Sequence, residues 1–318
     1  MRAQLALITV LLFAGCSSAG NGSSNGSSPT EPGGPGGTSD AGANDGGNST
    51  PSDGGQPPVP DAGSIKCDAS KPFGPPHPVS DVPEPDAFQL AFSPDELTAY
   101  YTVTSKVGNA ADIHSASRAA VTSAYGPPTV IANSGSSEKR PSVTADGLTL
   151  FFYAGGIMKS TRTSTAAPFS APVSALPFGE APFVARDGSV FYFEDPFGMP
   201  DGNHREISVT NPAKGALATD PVLPAHDSHA ELDYAPVVSD DALLLFFSRN
   251  GVIHVSTRAT PTGTFGAPSP ITQLTAAPGT WDFPSYYSAD GCRLYFDRLL
   301  PPVTTDRGVP YVAVRGGT

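Results

Sequence analysis

Between Cys67 and Thr318 one pattern of apolar and polar positions recurs five times. It consists of an apolar run, a polar turn built on Asp, a second apolar run, a third run ending in a basic residue, and an aromatic or Leu followed by Pro. The first two runs read AFSPDELTAYY around Asp95, SVTADGLTLFFY around Asp146, FVARDGSVFYF around Asp187, VVSDDALLLFF around Asp241 and YYSADGCRLYF around Asp290. These Asp residues lie 51, 41, 54 and 49 positions apart. Alternating apolar residues on both sides of an Asp-Gly turn predict a hairpin of two antiparallel strands. Asp95-Glu96 and Asp241-Ala242 lack the glycine, so their turns are expected to be less ideal or of another type.

The third run ends at Arg118, Arg162, Arg258 and Arg315, while the third repeat ends at Asn211 instead. The Pro-bearing phrases, AYGPPTVI, PFSAPVSAL, ALATDPVL and TFGAPSPITQL, suit an outermost strand, whose free edge tolerates a missing N–H. Four strands in about 50 residues is the size of a propeller blade. The fifth unit stops after its third run, and its missing phrase, KPFGPPHPVSDV from Lys71, precedes the first inner strand. Such a permutation closes a propeller, because the N-terminal strand completes the last blade. The expected fold is therefore all-β, a five-bladed propeller over residues 67–318. A sandwich or solenoid would explain neither the repeat nor the permuted strand.

These phrases resemble the WD40-like repeats of TolB-type propellers, with Pro, then Ser-x-Asp-Gly, then a Leu-Tyr-Phe strand and a strand ending in Arg. The resemblance covers residues 71–318 and implies the fold. It carries no particular partner or activity.

Composition agrees with many short strands and argues against a helical bundle: the 318 residues include 34 Gly and 35 Pro but a single Trp, with 17 Phe and 10 Tyr. A net charge of −12 disfavours nucleic acid as a partner and would be repelled by an anionic membrane surface. At the N-terminus, Arg2 precedes an apolar run from Ala3 to Ala14 that is too short to span a bilayer, the pattern of a secretory signal. Phe13-Ala14-Gly15-Cys16 resembles the bacterial lipoprotein signal, which implies acylation of Cys16; a plain cleaved signal is the alternative. Ser17 after Cys16 lacks the Asp that commonly retains lipoproteins at the inner membrane, so outer-membrane sorting is expected. Residues 17–66 contain 13 Gly and only Val59 and Ile65 as large aliphatics, a composition expected to give a flexible tether.

With Cys16 acylated, Cys67 and Cys292 remain as an even pair in an exported chain. Cys67 precedes the strand that completes blade five and Cys292 lies on that blade's second strand, so a disulfide closing the ring is expected, against two free thiols. An acidic residue stands ahead of every inner strand: Asp86, Glu138, Glu180, Asp233 and Asp282. Five carboxylates around one channel mouth would hold a cation or a ligand, or would simply solvate loops and cap turns. Glu180-Ala181-Pro182, with Asp86 and Asp282, also looks like the catalytic carboxylates of arabinanase-like five-bladed glycoside hydrolases, which implies a pair of carboxyls about 5 to 9.5 Å apart.

His226-Asp227-Ser228-His229-Ala230-Glu231 offers possible metal ligands on a polar loop, without fixed geometry. Glu194–Arg205 and Asp297–Gly308 read as long recognition loops. No cofactor motif is present. The resulting expectation is an envelope lipoprotein, monomeric, whose propeller binds a protein or glycan without catalysis; a glycan hydrolase is the alternative, and a structural spacer the third reading.

Overall fold

The computed structural model describes residues 67–104, 110–132, 135–186, 188–195, 206–210, 219–224, 232–301 and 307–316. Strand β1 (His77–Pro78) is set apart in sequence from the sheet it joins. Blade I follows as β2 (Ala87–Phe92), β3 (Thr98–Thr104), β4 (Ala111–Ser117) and β5 (Thr129–Ala132). Blade II holds β6 (Lys139–Val143), β7 (Thr149–Tyr153), β8 (Ile157–Thr161) and β9 (Val173–Leu176). Blade III holds β10 (Glu180–Val184), β11 (Phe191–Asp195), β12 (Glu206–Thr210) and β13 (Thr219–Pro221). Blade IV holds β14 (Asp233–Val238), β15 (Leu244–Arg249), β16 (Val252–Thr257) and β17 (Ser269–Pro270), and blade V holds β18 (Trp281–Tyr287), β19 (Arg293–Leu299) and β20 (Val309–Val314).

Each blade is a four-stranded antiparallel sheet with its strands in sequence order, except the fifth, whose order is β1-β20-β19-β18. There His77 pairs with Val312 and Pro78 with Tyr311, so the permuted N-terminal strand closes the ring as expected. Cys67 and Cys292 form a disulfide across the same closure, with Cα atoms 5.9 Å apart. Among the described residues no helix is long and apolar enough to cross a membrane.

The core lies between blades. Five apolar clusters occupy the five junctions: Ile113 with Phe152 between I and II, Phe151 with Phe193 between II and III, and Ile207 with Phe247 between III and IV. Phe246 with Phe296 fills the IV–V junction, and Leu90 with Tyr295 fills V–I. Fully burying one such side chain contributes about 1.5 to 3 kcal/mol, so each wedge holds its two blades firmly. Inner strands see neighbours on both sides, which is why β2 is buried at all six positions rather than at alternate ones.

The repeated turn rests on a hydroxyl as much as on its Asp. Ser93, Thr144, Ser239 and Ser288 each donate to the Asp two residues on, at 2.5 to 2.6 Å. The same Asp oxygen accepts the N–H of Leu97, Leu148, Leu243 or Cys292. These bonds favour the charged carboxylate and hold Asp146 and Asp241 below the usual range. Glu96 (φ 54°) and Ala242 (φ 57°) take the same left-handed conformation as Gly147 (φ 69°) and Gly291 (φ 72°). The turns without glycine are thus not of another type: the hydroxyl–Asp bonds impose the geometry against the Cβ strain. Blade III has Ala185 where the hydroxyl would stand, and Asp187 lies outside the described residues.

Candidate functional site: the channel and its two mouths

The arginine ending each third strand fastens the turn from behind. Nε of Arg118, Arg162 and Arg258 donates to the carbonyl of Glu96, Gly147 and Ala242, at 2.9, 2.7 and 2.6 Å. Each guanidinium also stacks on the aromatic that opens the Pro-bearing phrase, Tyr125, Phe169 or Phe265, and Arg315 stacks on Phe73, all at 4.3 to 4.4 Å. Arg162 and Arg258 then reach the preceding blade, donating to Tyr100 Oη and Tyr192 Oη at 3.0 Å. The basic and aromatic positions of the repeat are therefore one device: they brace the rim of the channel where the inner strands end.

Where those strands begin, the five acidic residues have different surroundings. Asp233, 1% exposed, is held by Arg249 through two hydrogen bonds of 2.7 and 2.8 Å. Asp282, 3% exposed, is held likewise by Arg298 at 2.8 Å on both oxygens. Burial pushes the Asp282 carboxyl up and Arg298 pulls it back. Asp86 pairs with Arg307 at 2.7 Å near the surface, both side chains being over 40% exposed. Glu138 is fully buried, and Glu180 lies opposite Glu194 in the β10–β11 register. None of the five lines either of the cavities described below. Asp282 and Asp86 are each held by an arginine of blade V, Arg298 and Arg307. Among the described residues no three His, Cys, Asp or Glu are grouped to hold a metal ion. His226–Glu231, residues 196–205 of the first expected loop and residues 302–306 of the second fall outside the described residues.

The neck of the channel is built by bulges. Every inner strand has a register shift near its middle, between Phe88 and Ala91, Lys139 and Ser142, Glu180 and Phe183, Tyr234 and Val237, and Pro284 and Tyr286. Gln89, Arg140, Ala181 and Ala235 take positive φ there, and a bulge frees an N–H from the ladder. The Gln89 N–H is taken by Asp297 of blade V at 2.9 and 3.0 Å, the Arg140 N–H by Gln89 Oε1 at 3.1 Å, and the Ala235 N–H by Glu194 Oε1 at 2.8 Å.

Glu194 and Asp297, read from sequence as the starts of loops, are thus strand residues that tie one blade to the next. Arg140 sits between them, 3.6 Å from Glu194. Asp297 is buried and its carboxyl is pushed up to about 6, with the Gln89 N–H and Arg140 opposing that rise. Arg140 and Asp297, together with Gln89 and four prolines, line a cavity of about 30 Å³, room for a water or two.

Beyond the neck, toward the Asp turns, the channel opens into a funnel of about 920 Å³. All five inner strands contribute to its wall, among them Phe92, Val143, Val184, Val238 and Tyr287. Its charged groups are Arg186, paired with Asp240 across the blade III–IV junction, together with Asp241 and Arg258, and several Ser and Thr hydroxyls also line it. Nothing in the apolar alternation marks this cavity, because the same valines read as ordinary strand ends. The available signal was Arg186, which occupies the turn position where the other repeats have Pro94, Ala145, Asp240 and Ala289.

No family model matches the sequence, and no curated protein matches it. Among solved structures, similarity is found to TolB from Acinetobacter baumannii, with 14% identity over 72% of this chain and 54% of that one, at a TM-score of 0.43. This chain thus spans about half the length of that protein. A putative TolB from Agrobacterium tumefaciens is 15% identical over 71% of this chain and 73% of its own, at 0.44. The calcium-binding protein regucalcin from the same organism is 11% identical over 77% and 94%, at 0.42. At these values none of the three assigns this chain to a family.

Proposed function

We propose that this protein is a non-catalytic binding module of the bacterial envelope, tethered through lipid on Cys16, which takes an apolar segment of a partner protein into the funnel on its Asp-turn face. The observation that carries this reading is the funnel itself, a concavity of about 920 Å³ walled by valines and aromatic edges from all five blades. A mostly apolar wall suits apolar side chains of a protein better than the hydroxyls of a glycan, and Arg186, Asp240 and Arg258 supply polar handles.

The five acids ahead of the inner strands serve in this reading as structural counterions, since Asp233 and Asp282 each sit in a two-bond pair with a neighbouring arginine. The anchor rests on the signal sequence and on Cys16. Replacing Cys16 with Ala should move the protein from the membrane fraction to the soluble fraction with its fold unchanged.

The binding reading is tested by immobilising the purified protein and washing solubilised envelope proteins over it. Ala145→Arg places a long cation on the funnel wall, in a turn position whose counterpart in blade III is already Arg186. Partners retained by the wild type and by Asp86→Asn but lost by Ala145→Arg support the funnel. Retention that tracks Asp86 and ignores Ala145 places the contact on the acidic mouth.

A further inference from the structure

The chain reaches the propeller on the funnel face. Cys67 is bonded to Cys292, just after the blade V turn. At that turn Ala69 and the hydroxyl of Tyr287, a funnel residue, lie 3.6 and 3.2 Å from where a Cβ on Gly291 would stand. The ten residues immediately before Cys67 read PPVPDAGSIK. They hold Val59 and Ile65, the only large aliphatics of residues 17–66, and three of them are prolines, the residue type that favours extended chain. At about 3.1 Å per residue the segment spans roughly 31 Å, which is ample to cross from the disulfide into the funnel. Asp61 and Lys66 can complement Arg186 and the Asp240–Asp241 pair at the rim.

We propose that residues 57–66 dock in the funnel of their own propeller and act as a built-in competitor for the partner. The proposal rests on the funnel being the contact face. A tethered segment meets its site at about millimolar effective concentration, so a contact whose intrinsic Kd lies well below that keeps it largely docked. A partner must displace it, which lowers the partner's apparent affinity by the fraction of time the funnel is open.

The test is photo-crosslinking within the full-length disulfide-bonded protein, with p-benzoylphenylalanine replacing Val59 and, as a control, Thr30. Crosslinks from position 59 to the funnel residues Val190, Val209 or Pro261, lost in both Ala145→Arg and Thr262→Arg, are the expected result. Crosslinks from 59 that are absent, that map elsewhere, or that match those from position 30 overturn the proposal. If they are absent while partner retention still depends on Ala145, this inference fails and the funnel remains a binding face. If they are present and lost with Ala145→Arg, yet no partner is retained, the segment is the funnel's occupant and the binding reading fails instead.

Discussion

The two ends of the channel use the same residue types for opposite ends. Where the inner strands start, carboxylates turn inward and are consumed: Asp233 by Arg249, Asp282 by Arg298, and Asp297 and Glu194 by the N–H groups that bulges set free. Where the strands end, the carboxylates of Asp95, Asp146, Asp241 and Asp290 are held by the hydroxyls of their own turns, and the cavity beside them is faced mainly by valines and aromatic edges, with the Ser239–Asp241 turn at its border. Polar groups at the first end fasten blade to blade. At the second end the fastening is done by arginines on the third strands, of which Arg258 also reaches the funnel wall, and most of that wall is left apolar. A row of acids is therefore not by itself a site. What matters is whether the fold gives each acid a partner.

That contrast can be broken most forcefully at Arg298. Changing it to Ala strands Asp282, 3% exposed, without its counterion and should cost about 3 to 5 kcal/mol, read as a loss in the free energy of urea unfolding. Arg258→Ala removes the bonds to Ala242 and Tyr192 and the stacking on Phe265, and should cost about 2 to 4 kcal/mol by the same measurement. An unchanged midpoint in that variant would mean that the rim is braced by something other than the arginine.

Asp297 gives a smaller, pH-dependent effect. Its folded pKa of about 6 lies above the ordinary carboxylate value, so the folded state binds the proton more readily than the unfolded one. Its contribution is fully present below pH 4 and is lost as the pH rises through 6. Asp297→Asn should flatten the stability profile between pH 4 and 6 and, relative to wild type, be more favourable at pH 7.5 than at pH 4.5 by about 1 to 3 kcal/mol. Asp86→Asn should matter least, about 0 to 1 kcal/mol, because its partner Arg307 is equally exposed. Melting temperatures of the two variants, measured side by side at pH 7.5, distinguish an internal carboxylate from a surface one.

The architecture was largely legible in the sequence. Five Asp-centred phrases gave the five hairpins, and the permuted phrase after Lys71 gave the closure. The pair Cys67–Cys292 followed from that closure. The fate of the acids was not legible. Arg249 stands 16 positions beyond Asp233, as does Arg298 beyond Asp282, and only the cross-strand register brings each pair together. The bulges were hidden as well, since positive φ at Gln89, Arg140, Ala181 and Ala235 is carried by residues without a glycine signature. One slip of register in each inner strand frees the N–H groups that Glu194 and Asp297 accept, while these two residues lie in strands because they pair with Ile207 and Pro310 of the third strands. At the turns, emphasis on Asp-Gly concealed that the hydroxyl two residues earlier lets Glu96 and Ala242 stand in for glycine.

The most direct test of the central claim compares the two mouths in living cells. A photo-crosslinker at Ala145, on the funnel wall, is set against one at Asp86, on the acidic side, with adducts identified by mass spectrometry after irradiation. A discrete protein adduct from position 145 that is absent from position 86 is the predicted result. Adducts from position 86 with none from 145 would contradict the account and return the contact to the acidic mouth.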